Sequence, residues 1–181
     1  MLRYAVAVLA VAGAAQLVAE EKSECLAVGS KVAAFYVTDV TGPAAGEKLC
    51  YRCRFGGKPV VSMFVREVTP EVAKLVKEVD NQVAAHQDAG MRAFVVLLTE
   101  NPEADAAKLK QLAADQGITH TPLTTFDGAA GPAEYKVGQE SAVTVMMWTN
   151  HTLKVNDTFK AGELAQEKIP AVVGKTSSIL N

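Results

Sequence analysis

Lys58-Pro59-Val60-Val61-Ser62-Met63-Phe64-Val65, continued by Arg66-Glu67-Val68-Thr69-Pro70-Glu71-Val72, reads as a buried strand that runs into a helix. The run from Val60 to Val65 is apolar except at Ser62, which is the pattern of a strand covered on both faces. Thr69 can cap the free amides of a first helical turn, and Pro70 sits where a missing N–H costs nothing. Val72, Leu75, Val76, Val79 and Val83 then fall on one helical face, so the helix must lie on a sheet.

The same alternation repeats downstream. Ala93 to Leu98 is a second continuous apolar strand, and Asn101-Pro102-Glu103 opens a second helix that carries Leu109, Leu112 and Ala113 on one face and stops at Gly117. Ala142 to Trp148 is a third buried strand. Thr149-Asn150-His151 turns it into Thr152 to Phe159, where Leu153, Val155 and Phe159 alternate with polar residues as in an edge strand. Residues 163–175 have helical spacing interrupted by Pro170. Upstream, Val32 to Val37 reads as a first strand, and Thr41 to Gly46 marks a loop. Strands alternating with helices imply right-handed crossovers and parallel pairing in an α/β domain.

Hydrophobic residues make up 49% of the 181 and charged residues 21%, a balance that suits one globular domain and excludes a disordered or fibrous chain. With 18 Lys+Arg against 20 Asp+Glu, no run of like charge could grip a phosphate backbone, so no nucleic-acid partner is expected. Met1-Leu2-Arg3 followed by the apolar run Tyr4 to Val18 reads as a signal peptide, with cleavage expected after Ala19. The remainder, 20–181, is read as a single domain of 162 residues with formal charge −3 and no stable membrane span. That places it outside the cytoplasm, periplasmic or secreted, where a disulfide persists.

The element order resembles the thioredoxin-like fold, and within it the peroxiredoxin-like and redoxin branch. Three features carry the resemblance: Lys58 to Val65 with Thr69-Pro70-Glu71-Val72; Gly117-Ile118 through Pro122-Leu123, Asp127-Gly128 and Tyr135-Lys136-Val137; and the final apolar hairpin. Lys48-Leu49-Cys50-Tyr51-Arg52-Cys53-Arg54-Phe55-Gly56 is similar to a signature of an exported group in that branch. The resemblance covers most of residues 26–175 and implies a three-layer α/β/α sandwich around a mixed central sheet.

It also exposes a substitution. In thioredoxin-like enzymes the reactive cysteine stands at the start of the first core helix, where free amides stabilise a thiolate. The resemblance maps that place to Thr69 through Val72, and Val72 cannot attack a peroxide, so peroxidase chemistry is not expected there. The branch's cis-proline position maps to Ala142, or in a rival register to Pro122, with Leu123 to Phe126 then forming a strand.

The dithiol lies upstream instead. Cys50 and Cys53 are separated from the strand by six residues, which reach at most about 20 Å, so the pair is expected near the sheet end opposite the customary site. A C-x-x-C pair is the spacing used for thiol–disulfide exchange, and Lys48, Arg52, Arg54 and Lys58 would favour a thiolate. The partners would then be protein thiols or disulfides. The same two residues could instead form an inert disulfide that pins a loop on a non-catalytic module. A third reading is a metal site with Cys25 and one of His86, His120 or His151, although no spacing selects such a set. Arg54 stands where covalent haem attachment needs His, and no cofactor motif is present. Cys25 could be a thiol, an intermolecular bridge or a packed side chain. Asn150-His151-Thr152 and Asn156-Asp157-Thr158 match the glycan acceptor pattern.

Overall fold

The computed structural model describes residues 25–180; the expected signal peptide and the segment up to residue 24 lie outside the described residues. Seven strands, β1 (Val37–Asp39), β2 (Lys48–Leu49), β3 (Val60–Val65), β4 (Arg92–Thr99), β5 (Leu123–Asp127), β6 (Ser141–Thr149) and β7 (Thr152–Lys160), form one sheet in the order β2-β1-β5-β4-β3-β6-β7. The pairs β3/β4 and β4/β5 are parallel, and the others are antiparallel. Four helices accompany them: α1 (Tyr51–Phe55), α2 (Pro70–Ala85), α3 (Pro102–Gln116) and α4 (Ile169–Gly174).

Helices α2 and α3 begin and end as their sequences require. The Thr69 hydroxyl accepts from Val72 N at 3.3 Å with Pro70 in the first turn, and Val72, Leu75, Val76, Val79 and Val83 are all buried. Gly117 closes α3 with φ 57°, a left-handed conformation that glycine adopts without a Cβ penalty. Because β3, β4 and β5 follow one another in a single direction across the sheet, right-handed crossovers bring both helices to the same face. There they share one core with α4, built around Val61, Met63, Leu75, Val95 and Leu109. The opposite layer is thinner. Tyr51 of α1, Val32, Phe35 and Tyr135 pack there on Phe64, Phe94 and Trp148.

Three local expectations change. The run Val32 to Val37 enters the sheet only at β1, because Phe35 turns onto the sheet face, 4.7 Å from the Tyr135 ring and 5.7 Å from that of Phe64. Both rival segments are strands: β5 pairs with β4, whereas β6 is the one beside β3. Pro170 opens α4 in its first turn rather than interrupting a longer helix, since that position needs no N–H donor.

Candidate functional site

Cys50 and Cys53 stand at the start and within the single short helix α1, and their sulfurs are joined as a disulfide with Cα atoms 5.3 Å apart. Cys50 has the extended backbone of an N-cap, and its Sγ accepts the Cys53 N–H at 3.1 Å. The two sulfur-bearing residues differ in exposure: Cys50 is 7% exposed, whereas Cys53 is open to solvent.

A buried anchor holds this helix on the sheet. Tyr51, 1% exposed, stacks on Phe94 with ring centroids 5.5 Å apart and donates its hydroxyl to Asp39 Oδ2 at 2.8 Å. Asp39, at the end of β1, also accepts from Gly42 N (2.8 Å) and Ala44 N (2.9 Å), so three donors satisfy its buried carboxylate. Burial first, and then the Asp39 carboxylate, push the Tyr51 phenol above its ordinary range and keep it a donor. Nothing in the sequence pattern marks this pair, because 12 residues and a loop separate its members.

The connector after α1 leads directly to the first residue of β3. Asn150 N donates to Gly57 O at 3.0 Å, and Trp148 pairs with Val60, which fixes the dithiol at the sheet end shared by the start of β3 and the β6–β7 turn. Thr69 follows the other end of β3. Six residues at about 3.3 Å per residue put roughly 20 Å of strand between the two places.

The four cations have different surroundings. Arg52 is half-buried and donates from Nε to Val32 O at 3.1 Å, whereas Lys48, Arg54 and Lys58 are exposed. None of the four forms an ion pair among the described residues. Lys31, which sequence reasoning did not single out, joins this rim by donating to Thr152 Oγ1 at 2.7 Å and Asn150 O at 3.3 Å. His151 occupies the same turn with φ 59°. Its desolvation, reinforced by Arg52 and Lys31, holds its imidazole below the ordinary range against a backbone hydrogen bond at Gly56.

Thr69, Val72 and Ala142 also come together, lining a groove of about 640 Å³ with Glu67, Glu71, Lys160 and Glu167. Val72 is buried and Thr69 caps α2. Ala142, in β6, lies beside β3, with its carbonyl accepting from Arg66 N at 3.1 Å. Pro122 immediately precedes β5, which is separated from β3 by β4, and the Thr121–Pro122 bond is trans. Cys25 is half-buried, with its sulfur 3.8 Å from Thr158 Oγ1. Among the described residues no three His, Cys, Asp or Glu side chains converge as a metal-ligand set. No helix among them is long and apolar enough to cross a membrane.

No protein-family model matches the sequence, and no curated protein matches it. Solved structures do match in shape. A Chlorobium tepidum protein described as a thiol:disulfide interchange protein, DsbE, superposes with a TM-score of 0.66 at 14% identity, covering 86% of this chain and 99% of that one. The mitochondrial 2-Cys peroxiredoxin of Plasmodium falciparum gives 0.63 at 11% identity, over 85% and 94% of the two chains. A secreted Mycobacterium tuberculosis disulfide oxidoreductase, homologous to DsbE of E. coli, gives 0.58 at 13% identity, over 80% and 95%. The protein therefore has a thioredoxin-like fold, the fold it shares with these DsbE-like and peroxiredoxin structures.

Proposed function

We propose that this protein is an exported thiol–disulfide exchange protein that uses Cys50 and Cys53 in place of the position usual for its fold. The observation that carries the reading is the pairing of a four-residue disulfide ring with unequal exposure of its two cysteines, on a helix rigidly anchored by Tyr51 and Asp39. Exchange needs one sulfur that a partner can reach and a second close enough to resolve the mixed disulfide. Several structures of the same fold bear names of disulfide oxidoreductases, which supports this chemistry on this scaffold.

The groove at Thr69 and Val72 carries no sulfur in this reading, so peroxide reduction is not assigned to it. An internal disulfide is consistent with an oxidising compartment, and residues 1–19 act as the export signal. A second reading, an inert staple, draws support from the burial of Cys50. The reduction potential of the pair in protein beginning at residue 20 separates them. Exchange predicts a value between about −120 and −270 mV, the span of working oxidoreductases, whereas a staple lies below about −300 mV.

A further inference from the structure

From the exposure of the two cysteines and the charge around them, we infer that Cys53 is the sulfur that partners attack and that the preferred partners are thiols set among acidic side chains. The inference rests on the exchange reading and specifies its direction and substrate class. Cys53 is open to solvent, whereas Cys50 is 7% exposed beneath the start of α1. An attacking sulfur must approach nearly in line with the S–S bond, so the accessible sulfur takes the new bond and the buried one leaves.

The leaving side is prepared for charge. Cys50 Sγ already accepts the Cys53 N–H at 3.1 Å, and that hydrogen bond strengthens when the sulfur becomes a thiolate. In the oxidising direction a partner thiolate bonds to Cys53 Sγ while the Cys50–Cys53 bond breaks and Cys50 takes the electron pair. A second thiolate of the same partner then attacks the partner's own sulfur and releases Cys53. The partner becomes a disulfide and the protein a dithiol, with two electrons transferred. A second disulfide-containing protein, entering by the reverse of these steps, restores the oxidised pair.

Charge selects the partner. Lys48, Arg54 and Lys58 are exposed on either side of the pair in the chain, Arg52 is half-buried, and Lys31 is exposed on the same rim. The acids nearest along the chain are the exposed Glu47 and Asp39, which is buried and bonded to Tyr51. The groove at the other end of β3 has the opposite balance, with Glu67, Glu71 and Glu167 against Lys160. An acidic segment is therefore drawn to the dithiol end and repelled from the far end.

The test uses the Cys25→Ser protein from residue 20 in three forms: both cysteines retained, Cys50→Ser, and Cys53→Ser. The probes are two cysteine peptides that differ only in Glu or Lys flanks, each offered as the thiol to the oxidised pair and as the symmetric disulfide to the single-cysteine forms. Cys50→Ser is expected to form the peptide adduct at least about tenfold faster than Cys53→Ser, since exchange follows access to the sulfur. Acid-quenched peptide mapping of the two-cysteine protein is expected to place the adduct on Cys53, which guards against a loosened helix in either variant. The Glu peptide is expected to react about tenfold faster than the Lys peptide at low salt, with the difference shrinking as ionic strength rises. An adduct on Cys50, or equal rates for the two peptides, overturns the inference while leaving exchange intact. No adduct on either sulfur overturns the exchange reading itself.

Discussion

Reducing Cys50–Cys53 tests how much the fold depends on it, and the expected magnitude follows from the ring size. A cross-link between residues three apart closes a loop of four residues, and the loss of chain entropy in the unfolded state then amounts to about 2 kcal/mol at 25 °C, against about 4.7 for a 100-residue loop. Trp148 is the sole tryptophan and is fully buried, so its fluorescence follows global unfolding. Urea curves of the Cys25→Ser protein, with and without reductant, should differ in midpoint by about 1 M if the slope is about 2 kcal/mol per molar. By linkage, the same 2 kcal/mol places the folded pair about 40 mV below the same pair in the unfolded chain. Reduction rather than substitution avoids opening a cavity at Cys50, so the measurement isolates the bond. A loss above about 4 kcal/mol, or failure to fold when reduced, would refute the reasoning and make the bond a structural requirement.

Further expectations concern the scaffold. Gly42→Ala would place a Cβ 2.6 to 2.7 Å from both Asp39 carboxylate oxygens and closer still to the Tyr51 hydroxyl; we expect a loss of about 1–3 kcal/mol in urea unfolding, whereas Gly174→Ala, with open space around it, should be close to neutral or stabilising. Arg66 donates to Ser141 O at 2.7 Å, to Gly138 O at 3.0 Å and to Ala129 O, so Arg66→Met should cost about 2 kcal/mol and speed amide exchange across residues 129–141 ahead of the rest of the sheet. Because His151 is held below its unfolded value, the unfolded chain takes up the proton first as pH falls. The stability His151 contributes is therefore present above about pH 6.5 and declines below it, and His151→Gln should flatten the slope of unfolding free energy between pH 7 and 5.

Burial explains which elements could be read in the sequence. Strands β3, β4 and β6 are covered on both faces, and their apolar runs say so: Val60 to Val65, Ala93 to Leu98 and Ala142 to Trp148 are interrupted only by Ser62 in β3 and Thr144 in β6. Strand β5 is covered too, yet Leu123-Thr124-Thr125-Phe126 carries two threonines that are at most 2% exposed. The Thr124 hydroxyl reaches Val95 O at 2.6 Å, so its polarity is met inside the sheet and leaves a loop-like signature in the chain. The run at Val32 to Val37 misleads in the other direction. Its composition suits a strand, but pairing is a long-range matter, and here an aromatic cluster takes Phe35 out of the ladder.

The site was legible in kind and not in orientation. A spacing of three marks Cys50 and Cys53 as a pair that can close a ring, and the connector length places that ring at one end of β3. Which cysteine turns outward follows from the anchor between them: with Tyr51 in the core, Cys53, two positions on and about 200° round the helix, faces outward, while Cys50 at the N-cap is buried. The helix is too short to show this as periodicity. That anchor in turn depends on Asp39 and on Gly42, whose lack of a Cβ lets the phenol and carboxylate meet. The chemistry proposed for the outer sulfur thus depends on packing decided on the opposite side of the helix, by residues with no redox role of their own.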